Sequence, residues 1–117
     1  MTFDEYRNYD LIGLTDLIRA REVTAREVLE AALRRAAEVN PKINAIAVDL
    51  SDAALQESAG PLSGPLAGGP YLLKDHGAQM KGVPTSLASP LFDLPAEQDS
   101  AIVAGMRKAG LVIFGKT

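Results

Sequence analysis

Apolar residues recur at helical spacing from about Asp10 to Arg21, where Leu11, Leu14, Leu17 and Ile18 share one side and Asp16, Arg19 and Arg21 take polar positions. A short amphipathic helix is expected there. Thr24 and Glu27 then form a T-x-x-E capping box, in which each side chain can satisfy an orphan backbone donor at the start of a second helix. Val28, Leu29, Ala32, Leu33, Ala36 and Val39 make its buried stripe, while Arg34, Arg35 and Glu38 read as a solvated face. Asn40-Pro41 is expected to stop this helix, because a residue before proline is pushed away from helical geometry.

Beyond Pro41 the period shortens. Ala45 to Leu50 is apolar and partly β-branched, predicting a strand, and Ser51 to Ser58 predicts one or two turns of helix. Gly60, Pro61, Gly64, Pro65, Gly68, Gly69 and Pro70 mark a loop that runs directly into the apolar Tyr71-Leu72-Leu73. A strand this short needs neighbours on both faces, so the loop is read as a tight approach to a buried strand and not as a flexible linker. After Lys74-Asp75 an irregular surface excursion extends to Pro95. Asp99 or Ser100 then caps a helix with Ile102, Val103, Met106 and Ala109 facing inward and Gly110 at its exit, and Leu111 to Phe114 is the next buried strand. Helices alternating with strands predict an α/β sheet covered by helices, with two helices over about 10–40 and the strands, with their connections, over 41–117.

Composition narrows the function classes. The chain has 117 residues, 47% hydrophobic and 23% charged, as expected of a soluble globular domain or part of one. A formal net charge of -3, dispersed along the sequence, offers no basic stripe for a nucleic acid or an anionic membrane. With no cysteine and one histidine, neither a disulfide framework nor a transition-metal site is expected, and no cofactor is called for. Met1 to Asp10 lacks the basic start and apolar stretch of a secretory signal, and no run reaches membrane-spanning length, so the cytoplasm is the expected location.

The candidate chemistry sits at Lys74, at the end of the apolar run Pro70 to Leu73. Residue types leave two readings open. In one, the strand ends at Leu73, Lys74 snorkels to water and Asp75 is a turn residue. In the other, desolvation depresses the lysine pKa so that its neutral amine can take a proton from a nucleophile. His76 follows directly, but neighbours on an extended chain point to opposite sides, so a Lys–His acid–base pair is disfavoured.

Context separates the two. Gly64 to Asp75, followed by Gly82-Val83-Pro84-Thr85-Ser86, resembles the Gly-Pro-Leu-x-Gly-x-Pro…Lys-Asp block and the Gly-x-Pro-Thr continuation of the amidase-signature family. Asp99 to Thr117, ending in Gly115-Lys116-Thr117, is similar to that family's helix-then-strand segment, and Thr24 to Ala45 to its second helix and first strand. Nearly the whole chain from Asp10 onward takes part, and several blocks in the right order are specific. The resemblance implies a Ser-cisSer-Lys hydrolase of carbon–nitrogen amide bonds, acting on a small-molecule amide, in which Lys74 exchanges a proton through a bridging serine with the nucleophilic serine. It implies the N-terminal portion of the family's mixed β-sheet covered by helices, incomplete in this chain. The Pro70–Asp75 stretch looks most like the branch that opens cyclic or linear aminohexanoate amides; the A subunit of the glutamyl-tRNA amidotransferase is the close alternative.

The departures are specific too. Both family serines and the oxyanion donors fall in a Gly-Ser-rich segment downstream of the Gly-Lys-Thr, so none of Ser51, Ser58, Ser63, Ser86, Ser89 or Ser100 matches them, and the isolated chain is expected to be inactive. Ala88 stands where relatives often have glycine, which bears on the loop conformation. Gly110 to Thr117 fits the literal phosphate-loop pattern G-x-x-x-x-G-K-T, yet its variable positions are large and apolar as in a buried strand, and pairing within a sheet would dismiss nucleotide binding. A non-catalytic module that binds a partner or self-associates through an exposed sheet surface, as a homo-oligomer, is the alternative from another class.

Overall fold

A computed structural model describes residues 1–117. In chain order the elements are α1 (Phe3–Tyr6), α2 (Leu11–Arg19), α3 (Ala25–Ile43), β1 (Val48–Asp49), α4 (Ser51–Ser58), β2 (Pro70–Leu73), α5 (Ala101–Ala109) and β3 (Val112–Lys116). The expected α/β arrangement is present as a mixed three-stranded sheet of order β1-β3-β2, in which β3 runs antiparallel to β1 and parallel to β2.

Two apolar clusters sandwich β3. On one face Val112 and Phe114 pack with Leu29 and Ala32 of α3 and Ala54 of α4. On the other, Ile113 packs with Leu73, Val103 of α5, and Ala78 and Met80 of the excursion. Val28, Leu29, Val103 and Val112 are fully buried, and each such side chain stabilises the fold by about 1.5–3 kcal/mol relative to exposure. The Gly/Pro loop closes tightly onto the sheet, as expected: Gly68, Gly69 and Pro70 are buried, and Gly68 N–H donates to Gly110 O at 2.9 Å. Gly110 ends α5 at φ 90°, and a Cβ there would lie 2.4 Å from Ser63 O, so no side chain fits.

Five expectations need correction, the first being the strand expected over Leu111 to Phe114, which lies at Val112–Lys116. Helix α3 does not stop at Asn40-Pro41 but carries Pro41 within it and ends at Asn44, in the left-handed region at φ 48°. Near the last turn proline removes a single N–H, and the helix beyond it still closes: Asn44 N–H donates to Asn40 O at 2.7 Å, and Ile46 N–H to Asn40 Oδ1 at 2.9 Å just past the end. The strand expected over Ala45 to Leu50 is reduced to Val48–Asp49, where register with Lys116 and Gly115 allows pairing. Ile102, expected inward, is 56% exposed, because Val103 takes the buried position on α5. Met1 to Asp10 contains α1, capped by its own box of Thr2 and Glu5 and docked by Arg35, whose guanidinium lies 4.9 Å above the Phe3 ring.

One irregularity positions everything that follows. Along β2 and β3 the register runs Pro70↔Val112 and Tyr71↔Ile113, then shifts to Leu72↔Gly115 and Leu73↔Lys116. Phe114 is thus the extra residue of a β-bulge. Strand side chains alternate faces, so one extra residue reverses the facing of all that come after it. Phe114 and Gly115 fall on the α3 side in succession, and Lys116 turns to the side of Leu73 and the excursion. Gly115 suits this position: a Cβ would lie 3.0 Å from Leu72 Cδ2 and 3.0 Å from Val48 O, contacts that the neighbours would have to relieve.

Candidate functional site

Lys74 leaves the C-terminal end of β2 beside Thr117. Thr117 N–H donates to Leu73 O at 2.8 Å, and Asp75 N–H donates to Thr117 O at 2.7 Å. Both peptide units that flank the Lys74 Cα are therefore held by one residue of the neighbouring segment. The Lys74 side chain itself is exposed and makes neither an ion pair nor a hydrogen bond within these residues.

Leu73 and Asp75, the residues on either side, turn the other way and are buried, at 1% and 7% exposure. Asp75 is far more than a turn residue. Its Oδ1 lies 2.7 Å from Lys116 Nζ, and its carboxylate accepts from Ser86, at 2.5 Å from the hydroxyl and 3.2 Å from the N–H. Lys116, 0% exposed, also donates to Pro84 O at 2.8 Å and to Thr85 Oγ1 at 2.9 Å. An ammonium has three donors and here meets three acceptors. Burial pushes the Asp75 carboxyl upward, but the hydrogen bonds from Lys116 and Ser86 and the Lys116 charge outweigh it and hold the carboxyl below its usual value.

Lys116 was hidden in the sequence behind the phosphate-loop pattern. That pattern is accounted for by the strand: Gly115 sits where the bulge leaves only tight space for a side chain, and Lys116 is the first residue turned toward Asp75. Pairing of Val112–Lys116 on both sides within the sheet dismisses a phosphate loop. The available signal was an acid and a base each ending an apolar run, Asp75 after Pro70–Leu73 and Lys116 after Leu111–Phe114. His76 is exposed and takes no part. Ser86 belongs to the Asp75 network, and Ser89 N–H donates to Ser86 O at 2.8 Å in the turn beyond it. Leu87 and Ala88 in that turn adopt φ of 51° and 58°, the left-handed region where glycine is the easier residue. No group of three or more His, Asp or Glu side chains converges on a point that could hold a metal ion.

The arrangement matches known proteins along almost its whole length. The family model described as Amidase matches residues 27–117. The 6-aminohexanoate-cyclic-dimer hydrolase of Paenarthrobacter ureafaciens is 39% identical over 111 residues, covering 92% of this chain and 22% of that protein. The A subunit of the glutamyl-tRNA(Gln) amidotransferase of Acidothermus cellulolyticus is also 39% identical, over 116 residues, covering 91% of this chain and 23% of its own length. Among solved structures, a 6-aminohexanoate cyclic dimer hydrolase complexed with substrate superposes with a TM-score of 0.86 at 37% identity, covering 93% of this chain and 23% of that one. The peptide amidase of Stenotrophomonas maltophilia gives 0.83 at 32%, covering 96% and 25%. The chain thus spans about a quarter of the length of the relatives it matches.

Proposed function

The chain belongs to the amidase family, and on that premise we propose that it supplies Lys74 as the proton relay of a Ser-cisSer-Lys amide hydrolase whose serines lie outside these 117 residues. The observation that carries this reading is the placement of Lys74. It is the residue of the family's Lys-Asp pair that projects from the sheet, with its backbone held on both sides and its side chain committed to nothing in this chain. A serine hydroxyl is a weak nucleophile at its own pKa and needs an adjacent base. A lysine anchored at its Cα and covered by further residues, so that its charged form is disfavoured, fills that role. Attack on the amide carbon then gives a tetrahedral oxyanion; its collapse breaks the carbon–nitrogen bond, the amine leaves with the proton returned through the relay, and water hydrolyses the acyl-enzyme left behind.

The substrate class is a carbon–nitrogen amide, and similarity to the aminohexanoate hydrolase favours cyclic or linear aminohexanoate amides as the first to assay. Similarity to the amidotransferase makes glutaminyl amide chemistry the alternative within the same mechanism. The test is amide hydrolysis by the gene product that carries this chain. Lys74→Ala should lower kcat by about 10²–10⁴-fold, the usual contribution of a positioned base. Retention of full activity would remove Lys74 from the mechanism.

A second reading, a non-catalytic module that associates with itself, is favoured by one feature. Leu91, Phe92 and Leu94 are 86%, 53% and 84% exposed on the excursion that follows Lys74. Apolar groups clustered this openly favour association.

A further inference from the structure

The ion pair of Lys116 and Asp75 is a poor device for stability alone, since a buried pair is often matched or exceeded by apolar residues of the same volume. Its placement suggests what it does instead. One ammonium gathers three groups that are distant along the sequence from its own strand: the Asp75 carboxylate, the Pro84 carbonyl and the Thr85 hydroxyl. The acid it holds is the residue next to Lys74, and that residue's N–H already donates to Thr117 O, next to Lys116. Asp75 is thereby fixed at its backbone by Thr117 and at its side chain by Lys116 and Ser86. A residue fixed at both ends leaves its neighbour little freedom in ψ, so the direction in which Lys74 leaves the sheet is set from the far side of β2.

We propose that Lys116 is a positioning residue that orients Lys74 through Asp75, and that the β3 bulge exists to turn Lys116 toward that task. The importance of this orientation for catalysis rests on the reading of Lys74 as the base; the orientation itself does not. Two of the three acceptors, Pro84 O and Thr85 Oγ1, also tie the turn after the excursion's Gly82 to the same ammonium.

Two experiments separate these claims. In this 117-residue chain, amide hydrogen exchange is followed residue by residue for the wild type, Lys116→Met and the milder Thr85→Val, which removes one acceptor at nearly constant volume. The expected result for Lys116→Met is exchange faster by about tenfold or more at the Asp75 and Thr117 amides, with a shifted Lys74 amide resonance, while Leu29 and Ala32 in α3 are unchanged. Thr85→Val should move the same amides in the same direction by less, and it serves alone if the methionine variant does not fold. A uniform rise across α3 and the sheet, or no change at Asp75 and Thr117, would overturn the proposal. In the amide-hydrolysing gene product, Thr85→Val should lower kcat with KM within about twofold, the signature of a group acting only in the transition state. A rise in KM alone would overturn the link to Lys74. If Lys74→Ala leaves activity intact, the base assignment fails while the exchange result stands.

Discussion

Taking an ammonium out of water costs several kcal/mol even after relaxation, and Lys116 offsets this only because each of its three donors has a partner within 2.9 Å. The arrangement has a pH dependence whose sign follows from Asp75. Burial raises its carboxyl, the Lys116 and Ser86 contacts lower it by more, and the folded-state value lies below the unfolded one. The unfolded chain therefore takes up the proton first as acid is added. The resulting stabilisation is whole above the ordinary carboxylate range, about pH 4, and is lost as pH falls through the lower folded value. Asp75→Asn removes that contribution. Its unfolding free energy, measured by urea denaturation at several pH values, should be lower at neutral pH and vary less with acid than the wild type's. Equal slopes in the two proteins would mean that Asp75 does not carry the acid sensitivity.

Each element shows why its signal was or was not legible in the sequence. Helices α2 and α3 were announced by their apolar stripes, α3 also by its Thr24–Glu27 box, and both start where expected, α2 with Asp10 as the cap that the structure adds. The end of α3 lies past Pro41 because the chain closes one more turn, with Asn44 N–H on Asn40 O and the left-handed Asn44 as its cap, while the Asn40 side chain receives Ile46 N–H. Helix α1 carried the same box as α3 at Thr2 and Glu5, within a stretch whose acidity masked it. The motif around Lys74 singled it out, and its position at the end of β2 follows from the apolar run before it. Lys116 was not legible, because its facing depends on the register shift between Tyr71 and Leu72, a property of two strands at once. The bulge can be probed directly: Gly115→Val places side-chain atoms against Leu72 and the Val48 carbonyl. It should destabilise the chain by about 1–3 kcal/mol, the usual cost of overpacking, with a lowered urea midpoint. An unchanged midpoint would show that the strands have room to spread.

At the scale of the molecule, the chain has an apolar core on both faces of β3 and apolar side chains left in water beyond it. No helix is long and apolar enough to cross a membrane. Leu91 and Leu94, the most open of the exposed apolar residues, border a shallow cleft with Phe92, Pro95 and Thr85. If this surface joins copies of the chain, the double substitution Leu91→Ser with Leu94→Ser shifts sedimentation velocity toward the monomer at unchanged helix content. A wild type that sediments as a monomer at every concentration would dispose of the self-associating module. The strand order carries a further consequence for how the molecule comes into being. Both β1 and β2 have β3 as their partner in the sheet, and β3 is the last of the three to leave the ribosome. Helices α2 and α3 can form on emergence, but neither earlier strand can take its place until residues 112–117 arrive. During synthesis the apolar Tyr71, Leu72 and Leu73 must wait without that partner, the interval in which an unpaired strand is most exposed to the wrong one.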